Sequence, residues 1–83
     1  MPWVVTVLKN GVPSAGVEPF DAVLSAIQAG NSALRNGAAD DVTIANREHA
    51  AIYYQFSTVR TSSEEQRIAR MLDDQSAKAT PQG

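Results

Sequence analysis

The run Ile52-Tyr53-Tyr54-Gln55-Phe56-Ser57-Thr58-Val59 constrains this chain most, because β-branched and aromatic residues crowd a helix and suit a pleated strand. Val42-Thr43-Ile44 has the same character upstream, and Asn46-Arg47-Glu48-His49 is a polar break between the two. Paired as a hairpin, the second run sends Ile52, Tyr54 and Phe56 to one face and Tyr53, Gln55 and Ser57 to the other. An amphipathic aromatic then stands on an otherwise polar face, which is what a binding surface shows. The rival arrangement is a helix over 44–59, with Ala45, His49, Ile52, Phe56 and Val59 along one side. Asn46 to Ala51 has the propensity for it. The hairpin is the favoured expectation, since Tyr53-Tyr54 and Ser57-Thr58-Val59 form helices poorly.

The rest of the chain supplies the layers around that hairpin. Trp3 to Leu8 is a valine-rich run, and Asn10-Gly11 after it is the strongest short signal for a two-residue hairpin turn. Val12 begins a short return strand, and Pro13 confines that strand to an edge. Glu18-Pro19-Phe20-Asp21 reads as a helix start, with proline and carboxylates in the first turn. Phe20, Val23, Leu24 and Ile27 share one helical face, which Asn31 interrupts and Leu34 resumes. Gly30 either ends this helix or weakens it, and Arg35 with Asn36-Gly37 makes a better stop. Ala22, Ala26, Gly30 and Ala33 form a small-residue stripe suited to close packing. Thr61-Ser62-Ser63-Glu64-Glu65-Gln66 starts a second helix, with a capping box at Ser62/Glu65 or Ser63/Gln66. Ile68, Met71 and Leu72 are its buried stripe, and Arg70 can pair with Asp74.

The expected class is therefore α+β: a small antiparallel sheet in β-β-α-β-β-α order, with two helices packed on one face. Residues 1–75 form a single domain and residues 76–83 a disordered tail.

Composition narrows the function classes. The 83 residues contain no cysteine, which removes disulfides and thiolate chemistry. A formal charge of −2 gives no general attraction to nucleic acid or anionic lipid. No apolar run approaches the roughly 20 residues that span a bilayer. Met1-Pro2-Trp3-Val4-Val5 lacks the basic leader of a secretion signal. A soluble protein of a reducing cytoplasm is the expectation.

Catalytic chemistry has little to stand on. His49 is the only histidine, falls in the polar break, and no serine lies in a nucleophile-elbow pattern. Asp40-Asp41 and Asp73-Asp74 lack the spacing of a calcium loop. The second pair is unfavourable at a helix C-terminus, so either the helix continues past it or an external cation meets it. Gly11 to Gly16 lacks the Lys-Ser/Thr ending of a phosphate loop. Arg47, Arg60, Arg67 and Arg70 with Tyr53 and Tyr54 resemble a single-strand-binding surface in composition. Over 42–75, however, these four arginines face five carboxylates, a net of −1.

The expectation is a non-catalytic protein–protein interaction module without a cofactor or metal. Its partner-binding candidates are Trp3, Arg47, Tyr53, Gln55, Arg67 and Arg70, residue types that anchor interfaces or flank the exposed aromatic. The partner is another protein of unspecified identity. A homodimer is a further expectation, drawn from the thin core and the small-residue stripe. In format alone the chain resembles small phage and mobile-element accessory proteins, anti-CRISPR proteins included, and that format implies inhibition of a host protein machine. The alternatives are a nucleic-acid-binding or transcription-regulatory module using the arginine–tyrosine side, and a self-assembling structural subunit.

Overall fold

The structure, a computed structural model, describes residues 2–15 and 19–79. Its elements are β1 (Trp3–Lys9), β2 (Val12–Ala15), α1 (Val23–Arg35), β3 (Asp41–Asn46), β4 (Tyr53–Phe56) and α2 (Ser62–Ala79). The strands form one antiparallel sheet in the order β2-β1-β3-β4. This is the expected α+β class and element order, and the hairpin reading of 44–59 holds against the helical one.

Each local feature has a chemical cause. Asn10 and Gly11 both take positive φ, 52° and 80°, as the tight β1–β2 turn requires. The Asn10 backbone N–H donates to Asp40 Oδ2 at 2.9 Å. That bond, with Lys9 nearby, holds the Asp40 carboxyl below its ordinary range. At the end of α1, Gly37 takes φ 74° and the Ala38 N–H donates to the Ala33 carbonyl at 2.8 Å, the expected left-handed stop.

Alternation then sorts the sheet. Trp3, Val5, Val7, Val42, Ile44, Tyr54 and Phe56 point to one side, where α1 and α2 cover them. The core joins these to Val23, Ala26 and Ile27 of α1 and to Ile68, Ala69 and Leu72 of α2. Gly30 lies inside α1 and does not end it. A Cβ there would sit 2.5 Å from Val42 Cγ1 and 3.4 Å from Phe56 Cζ, so glycine lets the helix axis come down onto β3. Ala26 and Gly30 are thus buried within the chain itself and Ala33 partly so, while Ala22 of the small-residue stripe is exposed.

Two buried asparagines tie α2 in place. Asn31 of α1 accepts the Arg60 N–H at 2.7 Å through Oδ1. Its Nδ2 donates to the Arg60 carbonyl at 2.8 Å and to Glu65. Asn46, at the end of β3, donates through Nδ2 to Ser76 Oγ at 2.9 Å.

Several boundaries differ from expectation. Phe20 is not helical: it exchanges backbone bonds of 2.7 and 2.8 Å with Trp3, and α1 begins at Val23 after an extended Ala22. That strand-like bridge uses the backbone groups that a helix start would need. Pro19 and Asp21 of the expected start also precede α1, and Glu18 lies outside the described residues. The capping box of α2 sits one position earlier, between Thr61 and Glu64, with reciprocal bonds of 3.1 and 2.9 Å. The Thr61 backbone N–H is the main cause holding the Glu64 carboxyl low. The domain boundary at 75/76 is also corrected, because α2 runs through Ala79 and Ser76 is buried against Asn46. A polar contact holds these turns, so no apolar stripe announces them. Asp73-Asp74 accordingly lies inside the helix, where Asp74 pairs with Lys78 at 3.1 Å rather than with Arg70. Residues 80–83 of the expected tail lie outside the described residues.

The close approach at Gly30 is directly testable. Alanine there favours the helix by about 1 kcal/mol, but its methyl must displace the stiff, fully buried Val42. Gly30→Ala is expected to lower stability to chemical denaturation by about 1–3 kcal/mol. An unchanged or higher midpoint would show that the sheet yields at this contact.

Candidate partner-binding surface

The side of the sheet opposite the helices carries Val4, Thr6 and Leu8 of β1, Asp41, Thr43 and Ala45 of β3, and Tyr53 and Gln55 of β4. Strand register arranges them in rows. Val4, Ala45 and Tyr53 lie across the strands in one row, and Thr6, Thr43 and Gln55 in the next. No described helix packs on this side, since α1 and α2 both contribute to the core on the other. The flat strand interior leaves Val4, Thr6, Leu8, Thr43 and Ala45 half-buried among their neighbours, while Tyr53 stands 55% exposed at the rim.

Gln55 is oriented on this face. Its Nε2 donates to Asp41 Oδ2, a diagonal reach between β4 and β3. Asp41 also accepts the Val42 N–H through Oδ1 at 3.1 Å, so the carboxylate that positions Gln55 is itself fixed. Asp41 is the one charged residue among the face positions of β1, β3 and β4, and the face is otherwise apolar, hydroxylic or amide.

Arg47 follows β3 directly, exposed in the β3–β4 loop at the Ala45/Tyr53 end of the face. Its backbone is anchored by donation to the Pro2 carbonyl at 3.1 Å. Asn46 Oδ1 accepts the N–H groups of Glu48 and His49 at 2.8 and 3.1 Å, folding the loop back on itself. The His49 carbonyl accepts the Ile52 N–H at 2.8 Å, so His49 acts in the turn through its backbone. Among the described residues no three His, Asp or Glu side chains converge as metal ligands.

The structure brings together three of the six candidates: Tyr53, Gln55 and Arg47. Trp3 is corrected outright. It is 1% exposed and points to the helix side, where the largest side chain of the chain is part of the core. Arg67 and Arg70 are exposed on α2, but on the side of that helix away from Ile68 and Leu72, and therefore far from the Tyr53 face. Arg60 is turned to its own neighbourhood, with Nε donating to the Thr58 carbonyl at 3.1 Å and a guanidinium nitrogen 3.5 Å from Glu64. Of the four arginines, Arg47 alone lies at the Tyr53 end of the face, and Tyr54 points to the helix side.

Sequence reasoning missed Val4, Thr6, Leu8, Thr43 and Ala45 as companions of Tyr53. Only Thr6 and Thr43 carry a polar signal, and apolar residues on both sides of β1 hide its alternation. Comparison with family models, with curated proteins and with solved structures returns no match to this chain. No helix among the described residues is long and apolar enough to cross a membrane.

The loop that carries Arg47 depends on Asn46, which is 1% exposed. Asn46→Ala strips two loop amides of their acceptor and removes the bond to the Ser76 hydroxyl, and is expected to cost about 2–4 kcal/mol of stability. The measurement is urea denaturation together with amide exchange at Glu48 and His49. Retained protection of both amides would show that the loop holds without the side chain.

Proposed function

We propose that this protein acts by contact, binding another protein through the uncovered face of its sheet with Tyr53 as the anchor, and that catalysis is not its task. One observation carries the reading: no described element covers this face of the sheet, and the large side chain most exposed on it is an aromatic with a polar tip. Such a side chain buries a wide apolar ring while its hydroxyl keeps a hydrogen-bond partner, which is why tyrosine dominates interfaces. Val4, Leu8 and Ala45 extend the apolar area beside it, and Gln55, pre-oriented by Asp41, adds an amide whose conformational entropy is already partly spent. Arg47 stands at the end of this area where a charged group of the partner would meet it. An inhibitor that occludes a surface of a larger host assembly fits this format, as does any other adaptor working by occupancy.

The experiment is quantitative affinity capture from host extract with the natural chain and with Tyr53→Ala. The variant is expected to keep its fold, because the side chain it removes is more than half exposed, and to lose the captured protein with an affinity drop of about 30-fold or more. Equal capture by a folded variant would overturn the reading. Recovery of nucleic acid instead, binding at low salt only, would place the function with Arg47 and the phosphate backbone.

A further inference from the structure

The two edges of this sheet are treated oppositely. On β2 the turn at Asn10-Gly11 pairs Lys9 with Val12 and Val7 with Ser14, so Pro13 and Ala15 are the residues whose backbone groups face outward. The missing N–H of Pro13 therefore falls on the exposed edge, where it blocks the addition of a strand. On β4 the parity is set by the Asn46 N–H, which donates to the Ile52 carbonyl at 2.9 Å. Tyr54 and Phe56 accordingly bond to Ile44 and Val42, and the N–H and C=O groups of Tyr53 and Gln55 face outward. Among the described residues no strand lies beyond β4, and no other backbone group bonds these four. The edge has no proline, lysine or charged side chain of its own.

We propose that β4 pairs antiparallel with β4 of a second copy of this chain, joining two four-stranded sheets into one continuous sheet. The occupant follows from self-complementarity. With Tyr54 on the two-fold axis, Tyr53 of one copy lies opposite Gln55 of the partner copy, and Gln55 opposite its Tyr53. In that register the outward N–H of each residue meets an outward C=O, so all the exposed edge groups are satisfied together. The Tyr-Tyr-Gln-Phe edge is uncharged, so two copies meet without like-charge repulsion, and Tyr54 meets its own copy on the helix side next to Phe56. The joined sheet carries both Tyr53 side chains on one open face. This pairing is independent of the proposed partner: the dimer uses the edge, and the partner uses the face. An interface this short is below the size of permanent ones, so the dimer is reversible and concentration-dependent.

Sedimentation equilibrium of the natural chain up to about 1 mM tests the proposal, which expects a rise from the 8.9 kDa monomer toward twice that mass. A single monomer mass throughout overturns it. Gln55→Pro repeats at β4 the device that Pro13 supplies at β2: the backbone N–H it removes faces outward, and the side-chain bond to Asp41 on the exposed face is lost with it. It is expected to raise the dimer dissociation constant by about tenfold or more with an unchanged circular dichroism spectrum. An undiminished dimer of the folded variant overturns the proposal. Should this variant fail to fold, amide exchange on the natural chain decides. The Tyr53 and Gln55 amides are expected to slow as the dimer fraction rises, and exchange at these two sites that ignores concentration overturns the pairing.

Discussion

Width is the constraint behind this architecture. Four strands at about 4.8 Å spacing make a sheet roughly 19 Å wide, and two helices about 10 Å across cover that width once. Among the described residues the helices are α1 and α2, and both contribute to the core on the same side, so that face of the sheet is closed and the other carries no described layer. The contact that sets the closed side is α1 on β3, where the absent side chain of Gly30 lets the helix lie against Val42. Ala26 and Ile27 join Val5 and Ile44 in the same core, with α1 packed on β1 and β3 and α2 on α1 and β4.

The second determinant is polar and buried. Asn31 and Asn46 occupy positions that an apolar stripe would claim, and each uses its amide as a substitute for backbone. Asn31 offers both an acceptor and a donor to Arg60, as a neighbouring strand residue would, and so fixes the connection that leads into α2. Asn46 closes the β3–β4 loop with its oxygen and reaches α2 with its nitrogen. A purely apolar seam would allow α2 to slide along the sheet, because apolar contacts have no direction. Directed hydrogen bonds near each end of the helix specify one position.

What could be read from residues alone follows from this division. The alternation of Tyr53, Tyr54, Gln55 and Phe56 was readable because large and polar side chains trade places at every step, and Asn10-Gly11 because both residues tolerate positive φ. The start of α2 was readable as a region and not as a position. Thr61, Ser62 and Ser63 each stand three residues before a Glu or Gln, so three capping boxes compete, and the long-range grip of Asn31 on Arg60 beside Thr61 marks the one formed. The last turns of α2 were misread because Ser76 is held by a single hydroxyl, which leaves no periodic trace. Trp3 was misplaced for a related reason. Val4, Val5, Val7 and Leu8 are apolar on both sides of β1, so the strand itself does not say which side is inside, and Trp3 follows whichever side the helices take.

The composition of the open face shows how it can be both uncovered and tolerated by water. A wholly apolar face of this width would drive indiscriminate aggregation. Here Thr6, Thr43 and Gln55 form a polar row straight across the strands, with Asp41 diagonal to Gln55, so water keeps hydrogen-bond partners across the sheet while Val4, Leu8, Ala45 and the Tyr53 ring remain as contact area. The β-branched threonines also suit the pleat, so strand stability and solubility are served by the same side chains. Apolar residues set between hydroxyl and amide groups favour an occupant that matches both in position, since a smooth apolar surface would strand the polar groups without partners. For the partner proposed above, selectivity would come from the spacing of these hydrogen-bonding groups, which the register of β1, β3 and β4 sets.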